Sequence, residues 1–85
     1  MSEALDIVEH KDVLSYLEAR GLLKQYRKAK SMLASGNRSH VYFKERRPQD
    51  SDIWSFRINK QFRAFGFFRH DGVFVVAEIS NHQKL

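Results

Sequence analysis

Eighty-five residues leave room for one domain with one core, which buries roughly 60–65% of the surface that the unfolded chain exposes. The composition, 42% hydrophobic and 29% charged with seven Phe, three Tyr and one Trp, excludes a disordered chain, and the lack of cysteine excludes disulfides, thiolate metal sites and thiol nucleophiles. The net charge of +5 is unevenly spread: residues 1–19 hold one lysine against five acids, whereas residues 20–69 hold 13 basic residues against three acids, a distribution that attracts polyanions or simply keeps the surface solvated.

The chain opens on Met1-Ser2-Glu3, without the basic segment of a secretory leader, which predicts an unexported, cytoplasmic protein. The stretch Ala4 to Val8 is a very short and poor strand candidate. From about residue 9 to 35 the pattern is helical. Val13, Leu14 and Leu17, with Tyr16 alongside, share one stripe, and Gly21 stands where a helix ends. Leu22, Tyr26, Ala29 and Leu33 follow at intervals of four, three and four, with Lys24, Arg27, Lys28 and Lys30 on the opposite side and Gly36-Asn37 as the stop. These features predict a helical hairpin.

Beyond Gly36 the period shortens to about two, predicting a sheet over about residues 40–80. Val41-Tyr42-Phe43 is the first strand candidate, before a charged connector that contains Pro48, the only proline. Trp54, Phe56 and Ile58 then alternate with Ser55, Arg57 and Asn59. The next strand, Phe62 to Arg69, sets Arg63, Phe65, Phe67 and Arg69 on one face and Phe62, Ala64, Gly66 and Phe68 on the other. Asp71-Gly72 marks a hairpin turn into Val73 to Ser80. That last strand contains the longest apolar run, Val73 to Ala77, far short of the ~20 residues of a membrane-spanning helix, so no membrane is expected as a partner. The predicted fold is α+β: a helical hairpin packed on a three- to four-stranded antiparallel sheet in a single domain spanning residues 1–85. Two helices cover only one face of such a sheet, leaving arginines and phenylalanines on an open face of the kind that holds nucleic acid.

The residues with usable chemistry follow from that layout. An arginine fixed in mid-strand is costly to desolvate and calls for a partner, and phosphate fits its planar fork. Arg63 and Arg57 are both so placed. A three-residue turn at Asn59 to Gln61 sets them opposite each other, whereas a two-residue turn sets them on opposite faces. For Arg57 an ion pair with Asp52 or Glu78 is an alternative. His82, just past the last strand, has proton chemistry near neutral pH. Glu45, in the basic run Lys44-Glu45-Arg46-Arg47, is a candidate proton acceptor or a charge-balancing surface residue. Lys44, Arg46, Arg47, Lys60, Arg69 and Lys28 are candidate RNA contacts. His10, His40, His70 and His82 lack metal-ligand spacing and there is no Gly-rich phosphate loop, so neither metal nor cofactor is expected.

The run from Ile53 to Phe65 contains aromatic-x-x-Arg-Ile-x-x-x-x-Arg, from Trp54 through Arg57-Ile58 to Arg63. With Asp71-Gly72, Val73-Phe74-Val75-Val76 and Ile79-Ser80-Asn81-His82, it resembles toxins of the bacterial RelE/ParE superfamily, most of all the YoeB and HigB branches. The resemblance covers roughly residues 36–85. It implies the toxin of a type II toxin–antitoxin system: a metal-free endoribonuclease that cleaves mRNA at the ribosome by 2′-hydroxyl attack, inhibits translation and is restrained by a cognate antitoxin. It further implies Arg63 as transition-state stabiliser, His82 as general acid or phosphate-orienting group, Glu45 as general base and Arg57 as phosphate clamp. Two departures stand out. The leading strand of the family has only a weak counterpart in Ala4 to Val8, and Gln83 stands beside His82 where YoeB-like chains tend to place tyrosine. The superfamily also implies an alternative, a ParE-like non-enzymatic inhibitor of a host protein such as DNA gyrase, or an inactive binding module on the same fold.

Overall fold

The computed structural model describes residues 4–46 and 52–81. It is an α+β fold as predicted, with helices α1 (Val13–Ala19) and α2 (Leu23–Ala34) packed on one face of a five-stranded sheet. The strands are β1 (Ile7–Glu9), β2 (Lys44–Glu45), β3 (Trp54–Arg57), β4 (Phe62–Phe68) and β5 (Phe74–Asn81), in the order β1-β5-β4-β3-β2. No helix among the described residues is long and apolar enough to cross a membrane.

The sheet is mixed and larger than predicted. The weak N-terminal segment forms β1, which runs parallel to β5 with Ile7 opposite Phe74 and Glu9 opposite Val76. Three residues give too short a pattern to register in the sequence. Their strand is defined by backbone bonds instead: Phe74 N–H donates to Asp6 O and His10 N–H to Val76 O, both at 2.9 Å. Conversely, the predicted strand at Val41-Tyr42-Phe43 is a 3₁₀ turn, Ser39–Val41, followed by Tyr42 at φ 55°, in the left-handed region. The strand begins at Lys44 instead.

Both helices end where glycine permits it. Gly21, at φ +67°, lets Leu22 N–H reach back to Leu17 O at 2.8 Å. The stripe Leu22, Tyr26, Ala29, Leu33 is buried along its whole length against Val13, Leu17, Phe56, Ala64, Phe74, Val76 and Ile79. Leu14, expected in the stripe of α1, is exposed. At the edge of the core, Phe43, Trp54, Phe68 and Phe74 pack ring on ring, with Phe43 stacked on Trp54 at 5.0 Å and Phe68 against Phe74 at 5.1 Å.

One polar cluster ties α2 to β1. Tyr26 Oη donates to Glu9 Oε2 at 2.6 Å, and Lys30 Nζ donates to the same oxygen at 2.7 Å. Burial, reinforced by Glu9, pushes the Tyr26 hydroxyl far above its usual value of 10.0. The raised value fixes the sign of the pH effect. The contribution of the Tyr26 shift is fully present below pH 10, and stability declines above it, where an unfolded tyrosine ionises and Tyr26 does not. Tyr26→Phe is expected to cost about 2 kcal/mol at neutral pH, since a hydrogen bond to a charged group is lost. In a thermal melt that corresponds to a midpoint lower by about 8–16 °C, with a shallower decline above pH 10. An unchanged midpoint would place the cluster outside the forces that hold the fold.

Candidate nucleic-acid interface

The face of the sheet turned away from the helices is assembled by register. Arg57 lies directly opposite Arg63, which lies opposite Ser80. Paired residues share a face, so these three form one row. The row above it is Lys44, Ser55, Phe65 and Glu78, and the next is Phe67, Val75 and Val8. Phe67 and Val8 are 37% and 40% exposed, so this face carries open apolar surface beside its cations.

The turn decides the pairing of the two arginines. Ile58 N–H donates to Phe62 O at 3.0 Å, which leaves a three-residue loop from Asn59 to Gln61. Asn59 Oδ1 closes the loop by accepting from Gln61 N–H and Phe62 N–H, each at 2.8 Å. With that, the three-residue alternative holds and the two arginines leave the same face of the sheet, Arg57 at the edge where it also borders the helix layer.

Arg46 joins them from the edge. Its backbone N–H pairs with Ile53 O at 2.7 Å, extending the alternation of β2, and its guanidinium carbon lies 5.6 Å from the Phe65 ring centroid. Arg57 in turn stands over Tyr42, at 4.3 Å from the ring centroid, with its Nε buried and without an acceptor among the described residues. Partial burial, then repulsion from Arg46 and Arg57, hold Arg63 below the usual arginine range. No carboxylate among the described residues pairs with Arg63. Three like charges gathered in this way favour an anion between them, and phosphate accepts from the planar forks of arginine.

The other expected residues divide. Lys44 is on this face, opposite Ser55, and Lys60 is exposed in the loop that joins Arg57 to Arg63. Glu45 lies opposite Trp54, so its side chain belongs to the helix-bearing face, across the sheet from Arg63. Arg69 is six residues along from Arg63, about 20 Å in extended chain. It is held instead by Asp71, with Nη2–Oδ2 at 2.6 Å and Nε–Oδ1 at 3.1 Å, a pairing that draws the Asp71 carboxyl down to about 2. Lys28 is on α2, off the strand face, where it borders a cavity that Arg57 also lines. His82 and Arg47 lie outside the described residues.

Glu78 is the residue that alternation misassigns. Counting by twos from Phe74 and Val76 puts it in the core and Ile79 outside. Instead Gly66 pairs with Val76 while Phe65 pairs with Glu78, so Ala77 is an extra residue and the two exchange faces. Glu78 is therefore the one acid among the described strand residues on the arginine face, though it borders a hollow beside Asp12 and Tyr16 of the α1 side. No family model matches the chain, and no curated protein matches it significantly.

Proposed function

We propose that this chain is the toxin of a type II toxin–antitoxin system and that it cleaves mRNA at the ribosome without a metal. The observation that carries this reading is the row of Arg57 and Arg63, joined by Arg46, on an open sheet face beside exposed aromatic surface. The resemblance of the hairpin to the YoeB and HigB branches gives the cluster its chemistry. The cytoplasm is the compartment this requires, and an antitoxin covering the arginine face is the partner that restrains it.

In this scheme the ribose 2′-oxygen attacks the adjacent phosphorus, the P–O5′ bond breaks, and the products are a 2′,3′-cyclic phosphate and a 5′-hydroxyl. Negative charge builds on the non-bridging oxygens, where Arg63 stabilises it and Arg57 fixes the phosphate. His82, the residue that follows β5 in sequence, is given the proton delivery to the departing 5′-oxygen. The resemblance implies Glu45 as acceptor of the 2′-hydroxyl proton, but its register turns it to the helix side, so in this scheme that proton passes to solvent water. Glu45→Gln is accordingly expected to retain cleavage within about threefold, against the 10²–10⁴-fold loss that removal of a working general base brings. A loss of that size would return the base role to Glu45.

The experiment is incubation of the purified chain with mRNA, with and without ribosomes, and chemical identification of the new ends. Fragments ending in 2′,3′-cyclic phosphate and 5′-hydroxyl support the scheme. Uncleaved RNA in both settings, together with inhibition of gyrase, would replace it by the host-protein inhibitor.

A further inference from the structure

A cavity of about 290 Å³ opens at the sheet edge, between α2, the 3₁₀ turn and the end of β3. Its polar lining is Gln25, Lys28, His40 and Arg57, over an apolar floor that includes Ala29 and Ile58. No acid borders it. Gln25 Oε1 accepts from Asn59 Nδ2 at 2.6 Å, so the group it has left to offer a ligand is its amide N–H pair. Arg57 Nε is a buried donor with no acceptor among the described residues. Lys28 supplies an ammonium group and His40 a ring N–H. The cavity is thus bordered by donors, with a volume that suits a small anion and part of its carrier.

Beside it stands Tyr42. It is held at φ 55°, uncommon for a residue with a bulky side chain, and is 57% exposed. Its ring lies against the Arg57 guanidinium at 4.3 Å. A left-handed tyrosine that stays on the surface gains little from burial. Its position is explained by what its ring can meet: a planar base would extend the stack already begun by Arg57.

From these features we infer that the notch binds one nucleotide, with its phosphate among Lys28, His40, Gln25 and Arg57 and its base against Tyr42. This site is separate from Arg63, because Lys28, His40 and Gln25 come from the helix layer and the 3₁₀ turn. Arg57 is the one residue the two share. The same chemistry is available from a free mononucleotide or from a nucleotide within an RNA strand, and the two are separable by affinity.

The test is an NMR titration of the isotopically labelled chain with a nucleoside 5′-monophosphate, with inorganic phosphate, and with a 2′-O-methylated RNA trinucleotide that cannot be cleaved by 2′-hydroxyl attack. Saturable shifts of the Arg57 Nε–H signal together with the backbone signals of Lys28 and His40 are expected with all three. The double variant Lys28→Gln/His40→Gln, both exposed positions, should weaken the monophosphate at least tenfold with an unchanged fold. Tyr42→Leu should weaken the monophosphate and leave inorganic phosphate as it was. A trinucleotide at least tenfold tighter than the monophosphate assigns the site to an RNA strand, and equal affinities assign it to a free nucleotide. Shifts confined to Arg46 and Arg63, or a double variant that binds as tightly as the parent, would overturn the site. That result would leave the cleavage proposal standing, since cleavage is read from Arg63.

Discussion

Replacing Arg63 with alanine is expected to lower RNA cleavage by about 10²–10³-fold while the fold survives, the range found when one donor to a transition-state oxyanion is removed. The structural reason is that Arg63 is held among like charges. Its guanidinium is partly buried and repelled by Arg46 and Arg57, and no described carboxylate offsets this. Such an arrangement is unfavourable in the free protein and becomes favourable when negative charge arrives. Loss of Arg63 therefore removes the proposed catalytic contact and relieves repulsion at once, so the thermal midpoint should hold or rise. Arg63→Lys keeps a charge but not the planar fork, and should fall between the parent and Arg63→Ala. Cleavage rates and melting curves on the same preparations check both halves. A fully active Arg63→Ala variant would remove the arginine row from the chemistry.

The second large effect concerns the fold that presents the row. Gly66→Ala would place a Cβ 2.0 Å from Val75 O and 2.9 Å from Phe74 Cζ. A backbone oxygen inside a sheet has nowhere to move, and Phe74 is fully buried. Overpacking typically costs 1–3 kcal/mol even where side chains can yield, so about 3 kcal/mol is the lower bound here. For a chain of this length that lowers the thermal midpoint by about 12–24 °C, and much of the total stability of a small domain is gone. Urea denaturation followed by circular dichroism reads the change. A midpoint within a degree or two of the parent would show that β4 and β5 are not held at the close approach described here.

Gly66 also explains where the sequence stops being readable. Regular elements with repeated signals were legible: the stripe Leu22, Tyr26, Ala29, Leu33, the helix ends at Gly21 and Gly36, and the two faces of β4 all follow from spacing. Departures from period two leave no trace in spacing, because they are set by pairing with another strand. The extra residue Ala77 opposite Gly66 is such a case, and it exchanges Glu78 with Ile79. A glycine in mid-strand was the available signal for it. The three residues of β1 are likewise defined by the partner strand and not by their own pattern.

The site shows the same division. That Arg63 and Arg57 sit in strands was readable, but whether they share a face depended on one turn residue, fixed by the hydrogen bonds of Asn59. Arg46 was readable only as part of a basic run, and its approach to Phe65 comes from the pairing of β2 with β3, which continues through its backbone bond to Ile53. Arg69 had the right parity for the arginine face, yet the turn supplies it with Asp71. Lys28 and His40, 12 positions apart in sequence, meet Arg57 at one cavity only because the 3₁₀ turn brings the chain back along α2.

Whether the arginine row acts on RNA is read from 5′-end mapping of cellular transcripts after induced expression. New 5′-hydroxyl ends are expected at fixed positions within codons for the parent chain, and should disappear with Arg63→Ala expressed at the same level. Intact transcripts in cells arrested by the parent chain, or the same cuts with Arg63→Ala, would contradict it.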